Sequence, residues 1–187
     1  MSKCKPIASL GSLGLLLAGF LVSSPTMKAA KAADVPDSEQ VSKLLSDTKT
    51  MAFQLKEGAA TMASFTYMTV SWQSHAKAID LVKEHVNALG RQETKLKDAR
   101  AAASPWQKAA VDRITPFLNE LEGYTSAIIE HLNKEPNRLT TPEYKDYLEA
   151  NADYSADLAT MIGDFVDYGR TKQRLERLTD KLEVPAR

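Results

Sequence analysis

Leu96-Lys97-Asp98-Ala99-Arg100-Ala101-Ala102-Ala103-Ser104-Pro105-Trp106-Gln107 is the stretch on which the fold turns. Ser104 is a helix-capping residue. Pro105 suits the first helical position, where its missing N–H has no bond to make, and Gln107 can return to the cap three residues back. Upstream, Trp72, His75, Ile79, Val82, Val86, Leu89, Glu93, Leu96 and Arg100 alternate spacings of three and four, the seam of a bundle or coiled coil. Downstream, Ile114, Phe117, Leu121, Tyr124, Ile128 and His131 do the same. Two striped helices joined by so short a connection fold back as an antiparallel hairpin. Pro116 lies inside the second of them and predicts a kink there, the alternative being a restart with Thr115 as cap.

On the N-terminal side, Val41, Leu44, Thr48, Ala52, Leu55, Ala59 and Met62 give another apolar face, with Asp37 and Gln40 spaced as a capping box. Ser64 to Ser71 is rich in β-branched and aromatic residues but has no strand to pair with, so it reads as a connection with Ser71 as the next cap. On the C-terminal side, Glu135-Pro136-Asn137 ends the third helix and Thr140-Thr141-Pro142-Glu143 predicts a second capping box. Tyr144, Tyr147, Asn151, Tyr154, Leu158, Met161, Phe165 and Tyr168 then line one side of a last helix. That side reads first as core; a groove for an apolar ligand or peptide is the other reading. The expectation is all-α: an antiparallel up-and-down four-helix bundle with helices at about 38–63, 72–103, 105–135 and 142–183 and a long C-terminal helix.

The N-terminus reads as an export signal over residues 1–33. Lys3 and Lys5 precede an uncharged apolar run from Ile7 to Val22, and Ala30-Lys31-Ala32 offers small residues for cleavage. Cleavage after Ala33 leaves one domain, 34–187, with 20 basic and 24 acidic residues and a net charge of −4. A retained signal would instead make a membrane-tethered sensor module. The acidic balance argues against a nucleic-acid partner, whose footprint is a basic face. Cys4, the only cysteine, lies in the signal, so disulfides, thiolate ligands and a C-x-x-C-H haem attachment are excluded from the rest. With no Asn-x-Ser/Thr site either, the composition suits a bacterial periplasm.

At about 1.5 Å per residue the last helix, about 63 Å long, should outrun its neighbours by about ten residues. That overhang carries Leu175, Leu178 and Leu182 on one stripe. The stripe bends back onto the chain, meets the residues before Asp37, or receives a partner helix from a second copy or another protein.

Chemistry-bearing residues are few. His75 stands 29 residues before Ser104 and His131 stands 27 after it, so the hairpin brings them to one level. With Glu135 one turn beyond His131, and Met62, Met68 and Tyr144 at the same end, they are candidate ligands for zinc, copper or haem iron. The ordinary alternative is that each ring meets a carbonyl or carboxylate. Glu93 and Arg100 on the second helix predict a buried polar layer, and Asn151 on the fourth another. No nucleophile elbow or phosphate-cradling glycine loop occurs. These observations favour an exported, non-enzymatic interaction, structural or chaperone-like module without a cofactor, and make a metal- or haem-binding bundle the alternative.

Overall fold

In a computed structural model of the chain, residues 35–182 are described, and the expected signal segment lies outside them. Four helices run α1 (Glu39–Ser64), α2 (Trp72–Ala99), α3 (Pro105–Lys134) and α4 (Pro142–Lys181), with no strand among the described residues. Each packs chiefly on two neighbours. α1 touches α2 and α4, and α3 touches α2 and α4, so the four form a square with consecutive helices antiparallel. None of these helices is long and apolar enough to cross a membrane.

The turns follow from local chemistry. Pro105 opens α3 within a capping box, and the Ser104 N–H donates to Gln107 Oε1 at 3.0 Å. Residues 100–102 tighten into a 3-10 turn, which shortens α2 relative to expectation. The 64–71 segment is a connection: a 3-10 turn at Phe65–Tyr67, an extended Met68, then Ser71 accepting from the Ser74 N–H at 3.3 Å. Its strand-like composition finds no pairing edge, and Thr66 turns inward instead, donating to the Ala63 carbonyl at 2.8 Å. α3 passes through Pro116 without restarting, and Thr115 donates to Glu93 instead of capping.

Two expected caps form differently. Ser38, not Asp37, caps α1, accepting from the Val41 N–H at 3.4 Å, because Asp37 is drawn to α3 and α4. At α4 the second capping box does not close. Thr141 Oγ1 donates to the Arg138 carbonyl at 3.1 Å, and Glu143 accepts from the Tyr147 hydroxyl at 2.7 Å.

The core is aliphatic through its length, with Leu45, Leu55, Leu89, Ile114, Leu121, Leu148, Leu158 and Ile162 among its fully buried members. Several seam positions shift by one residue from expectation. Leu118, Thr125 and Leu132 are buried on α3, where Phe117, Tyr124 and His131 stand half-buried beside them. On α4, Leu148, Ser155, Ile162, Val166 and Gly169 turn inward, while Tyr147, Tyr154, Met161 and Phe165 flank them. Aromatic rings line the α3–α4 groove. Trp106 meets Tyr168 edge-on at 5.4 Å, Tyr154 meets Phe117 at 6.3 Å and Tyr124 at 5.5 Å, and His131 stacks on Tyr144 at 4.6 Å.

The expected Glu93–Arg100 layer is absent. Arg100 makes a two-pronged surface pair with Asp112, both bonds 2.7 Å, and Glu93 binds Lys97 and Thr115 at the rim. Gln92 is the buried polar residue at this level of α2, its Nε2 donating to the Leu44 carbonyl at 3.2 Å. A charged pair at that depth would lose hydration that its mutual attraction does not replace, whereas an amide needs only a carbonyl. Asn151 is buried as expected, donating to Thr125 Oγ1 at 3.0 Å.

Candidate functional site

His75, Tyr144 and His131 meet at the end of the bundle where α1 stops and α4 starts. α2 presents His75 one turn after its cap, α3 presents His131 in its last turn, and α4 presents Tyr144 in its first. Tyr144 is the common neighbour. Its hydroxyl lies 2.8 Å from His75 Nδ1, with the two ring centroids 5.5 Å apart, and its face stacks on His131. Phe65 closes over His75 edge-on at 4.9 Å.

Burial sets the electrostatics. Tyr144 is fully enclosed, and its phenol is pushed well above the ordinary range. His75, only 2% exposed, has its pKa lowered by desolvation, which disfavours the cation. A neutral ring with the proton on Nε2 leaves Nδ1 to accept from the phenol, the one assignment in which a protonated phenol donates. His131 Nε2 lies 3.0 Å from the Arg138 carbonyl, as expected of a ring at a helix C-terminus. Glu135 caps α3 and pairs with Arg138 at 2.7 Å. The cleft beside His131 also holds Glu130, paired with Lys134, and Glu143, which takes the Tyr147 hydroxyl.

The hairpin register thus brings both histidines to one level, as their spacing implied, but onto a tyrosine. Each has one ring nitrogen engaged within the chain. Among the described residues, no three of His, Cys, Asp and Glu are grouped to hold a metal ion. Met62 is buried, while Met68 is exposed on the connection.

The opposite end carries a constellation that local capping arguments did not find. Asp37 Oδ1 accepts from Trp106 Nε1 at 2.7 Å and from Lys172 Nζ at 3.1 Å, joining the entry of α1 to α3 and α4. Burial opposes ionisation of Asp37, but the neighbouring Ser104 hydroxyl and the hydrogen bonds from Lys172 and Trp106 outweigh it and lower its pKa. Gln107 ties α3 to the entry of α1 as well. Its Oε1 also accepts from the Ser38 N–H at 3.0 Å, and its Nε2 donates to the Ser38 carbonyl and Ser42 Oγ, both at 2.9 Å. The Trp106 ring lies on Gly169, where an added Cβ would stand 2.7 Å from the ring. A glycine opposite a tryptophan that follows a helix cap is the sequence signal for this contact.

Beyond Lys172, whose amine reaches Asp37, and Gln173, beside Ser42 of α1, the helix leaves the bundle. Leu175, Leu178 and Leu182 are 64%, 45% and 66% exposed. Beside them, Trp106, Arg113, Met161, Asp164, Phe165 and Tyr168 line an open groove between α3 and α4. The Arg113 guanidinium stands over the Phe165 ring at 5.8 Å.

No protein-family model matches this chain, and no curated protein or solved structure matches it significantly.

Proposed function

We propose that this chain is an exported, non-enzymatic helical module, working in a bacterial periplasm, that binds a partner helix through the tip of α4. The observation that carries this reading is the overhang. α4 continues twelve residues past its last buried position, Gly169, and carries exposed leucines at 175, 178 and, just past its end, 182. A helix that merely ended would have no use for such a stripe, since each exposed leucine forgoes about 1.5–3 kcal/mol of burial. The face that packs in the bundle turns polar over the same residues, with Gln173, Glu176, Arg177 and Asp180.

The test is a photo-crosslinking residue placed at Leu178 in cells of the native host, with the same residue at Lys83, exposed on α2, as control. A crosslinked species at position 178 and none at 83 is the expected result. No crosslink at either position removes the reading. Intact-mass measurement decides the export half: a chain starting near Ala33 fits, and one starting at Met1 gives the tethered version. Elemental analysis of protein purified without chelator addresses the alternative. About one equivalent of iron, copper or zinc, lost in a His75→Ala/His131→Ala variant, would replace this function with a cofactor-binding one.

A further inference from the structure

The residues lining the outer side of α4 form two groups with mirrored spacing. Met161, Phe165 and Tyr168, separated by four and three, line the groove beside Trp106. Leu175, Leu178 and Leu182, separated by three and four, line the overhang. At about 100° per residue all six fall within one strip about 140° wide, roughly opposite the face that Leu148, Ile162 and Val166 bury. Read from opposite ends, the groups coincide: 161 with 182, 165 with 178 and 168 with 175 each add to 343. A constant sum is the condition for two copies of one helix to lie antiparallel about a two-fold axis, with each contact made twice.

We propose that the partner of the α4 tip is a second copy of this chain, whose own α4 lies antiparallel. Leu175, Leu178 and Leu182 of each copy then cover Tyr168, Phe165 and Met161 of the other. This deepens the function proposed above and rests on it. The overlap spans residues 161–182, about 32 Å of helix.

Charge agrees with this arrangement. The groove half of the strip carries acids, Asp164 within it and Asp167 at its edge, where Asp167 also pairs with Lys49 at 3.0 Å and Arg170 at 3.6 Å; the overhang half is flanked by bases, Arg174 and Lys181. In the antiparallel register Asp164 falls within one turn of Lys181 of the second copy, and Asp167 within one turn of Arg174. A parallel pair would instead set base beside base and acid beside acid. Thr171, the small residue nearest the axis, lets the helices approach. Lys172, beside it, is already engaged by Asp37 at 3.1 Å and Glu176 at 3.7 Å. The closed geometry explains why the stripe is short: it needs only to match a groove of its own length.

Two measurements test this. Sedimentation equilibrium of the purified chain should show a dimer at micromolar concentration, with Kd rising at least tenfold in Asp164→Lys or Lys181→Asp alone and recovering when both are combined. In a Cys4→Ser background, mixing Tyr168→Cys protein with Leu175→Cys protein should give a disulfide-linked heterodimer. Each alone should stay unlinked, because like positions lie about 10 Å out of register. Circular dichroism of each variant establishes that it is folded. A dimer that links in another pattern, or one that does not recover with the charge exchange, overturns the register and with it the proposal. A monomer whose Leu178 crosslinks in cells to a different protein overturns the self-pairing and leaves the interaction module standing. A monomer with no crosslink, or with crosslinks only to its own residues before Val35, overturns both.

Discussion

The two ends of the bundle are closed by opposite chemistry. At the end where α4 begins, closure is aromatic: Phe65, His75, Tyr144 and His131 stack around one buried hydrogen bond. At the other end closure is polar and charged, with Asp37, Gln107 and Lys172 tying three helices together around Trp106. The difference follows from what each end must do. All the helices turn or stop at the first, so apolar surface there has only to be sealed. At the second, α4 has to leave. Groups that accept water can line an exit without exposing apolar surface, and directional bonds hold the departing helix at a fixed angle.

If that contrast is right, the largest effect lies at the sealed end. Tyr144→Ala should cost about 3–5 kcal/mol of unfolding free energy, since it empties a fully buried ring site and strips His75 of its partner. Tyr144→Phe keeps the volume and leaves Nδ1 unpaired, so about 1–2 kcal/mol is expected. Urea denaturation of both variants separates packing from hydrogen bonding. Equal losses would mean that the bond, not the ring, holds this end. At the exit, Gly169→Ala should cost less, about 1–2 kcal/mol. Overpacking against an indole ring anchored to Asp37 outweighs the roughly 1 kcal/mol gained by replacing a helical glycine. A variant more stable than the parent would show that Trp106 moves freely, and the exit would not be rigid.

The two ends should also titrate in different windows. His75 has a folded pKa below its unfolded value of about 6.5, so the folded state refuses a proton that the unfolded chain takes. Stability is therefore full above that value and falls as pH drops below it. Asp37 is likewise depressed, and its contribution is present above about 3.8 and lost as pH falls further. Urea midpoints should decline in two stages. His75→Gln should flatten the first and Asp37→Asn the second. A single stage, unmoved by His75→Gln, would mean that the sealed end opens to water before it titrates.

Helix number, order and hairpin register could be read from spacing and capping because these are local. Pro105 after Ser104, and alternate spacings of three and four, act within one or two turns. The one-residue offsets at 117/118, 124/125 and 147/148 were not visible. Each helix of a square bundle faces two neighbours, so its apolar strip is wide and a heptad line can be drawn through either edge. Large rings such as Phe117, Tyr124 and Tyr154 look like core in sequence, yet their shape suits the groove between two helices, and the slimmer Leu118 and Thr125 take the centre. The histidines could be placed at one level by counting from Ser104. That they meet on Tyr144 could not, because it depends on where α4 enters after an irregular connection. Asp37 has the spacing of a cap but binds elsewhere for a similar reason: its partners lie 69 and 135 residues away, and Ser38 beside it takes the cap.

The smallest effect on stability should come from the residues on which the proposed function depends. Leu178→Asp changes a side chain that is 45% exposed on a helix already outside the core. In the isolated chain the unfolding free energy should move by no more than about 0.5 kcal/mol, the usual range for surface substitutions. The same change at Leu158, fully buried at the centre of α4, would place an unpaired carboxylate among aliphatic side chains and prevent folding. Measured by urea denaturation at low protein concentration, where association is absent, the pair tests whether α4 contains two functionally separate halves. A silent Leu178→Asp that still abolishes crosslinking from a photoreactive residue placed at Leu182 would mean that the overhang is maintained for contact and not for the fold. A loss of several kcal/mol would place those leucines within the folding unit, and α4 would be a single structural element to its end.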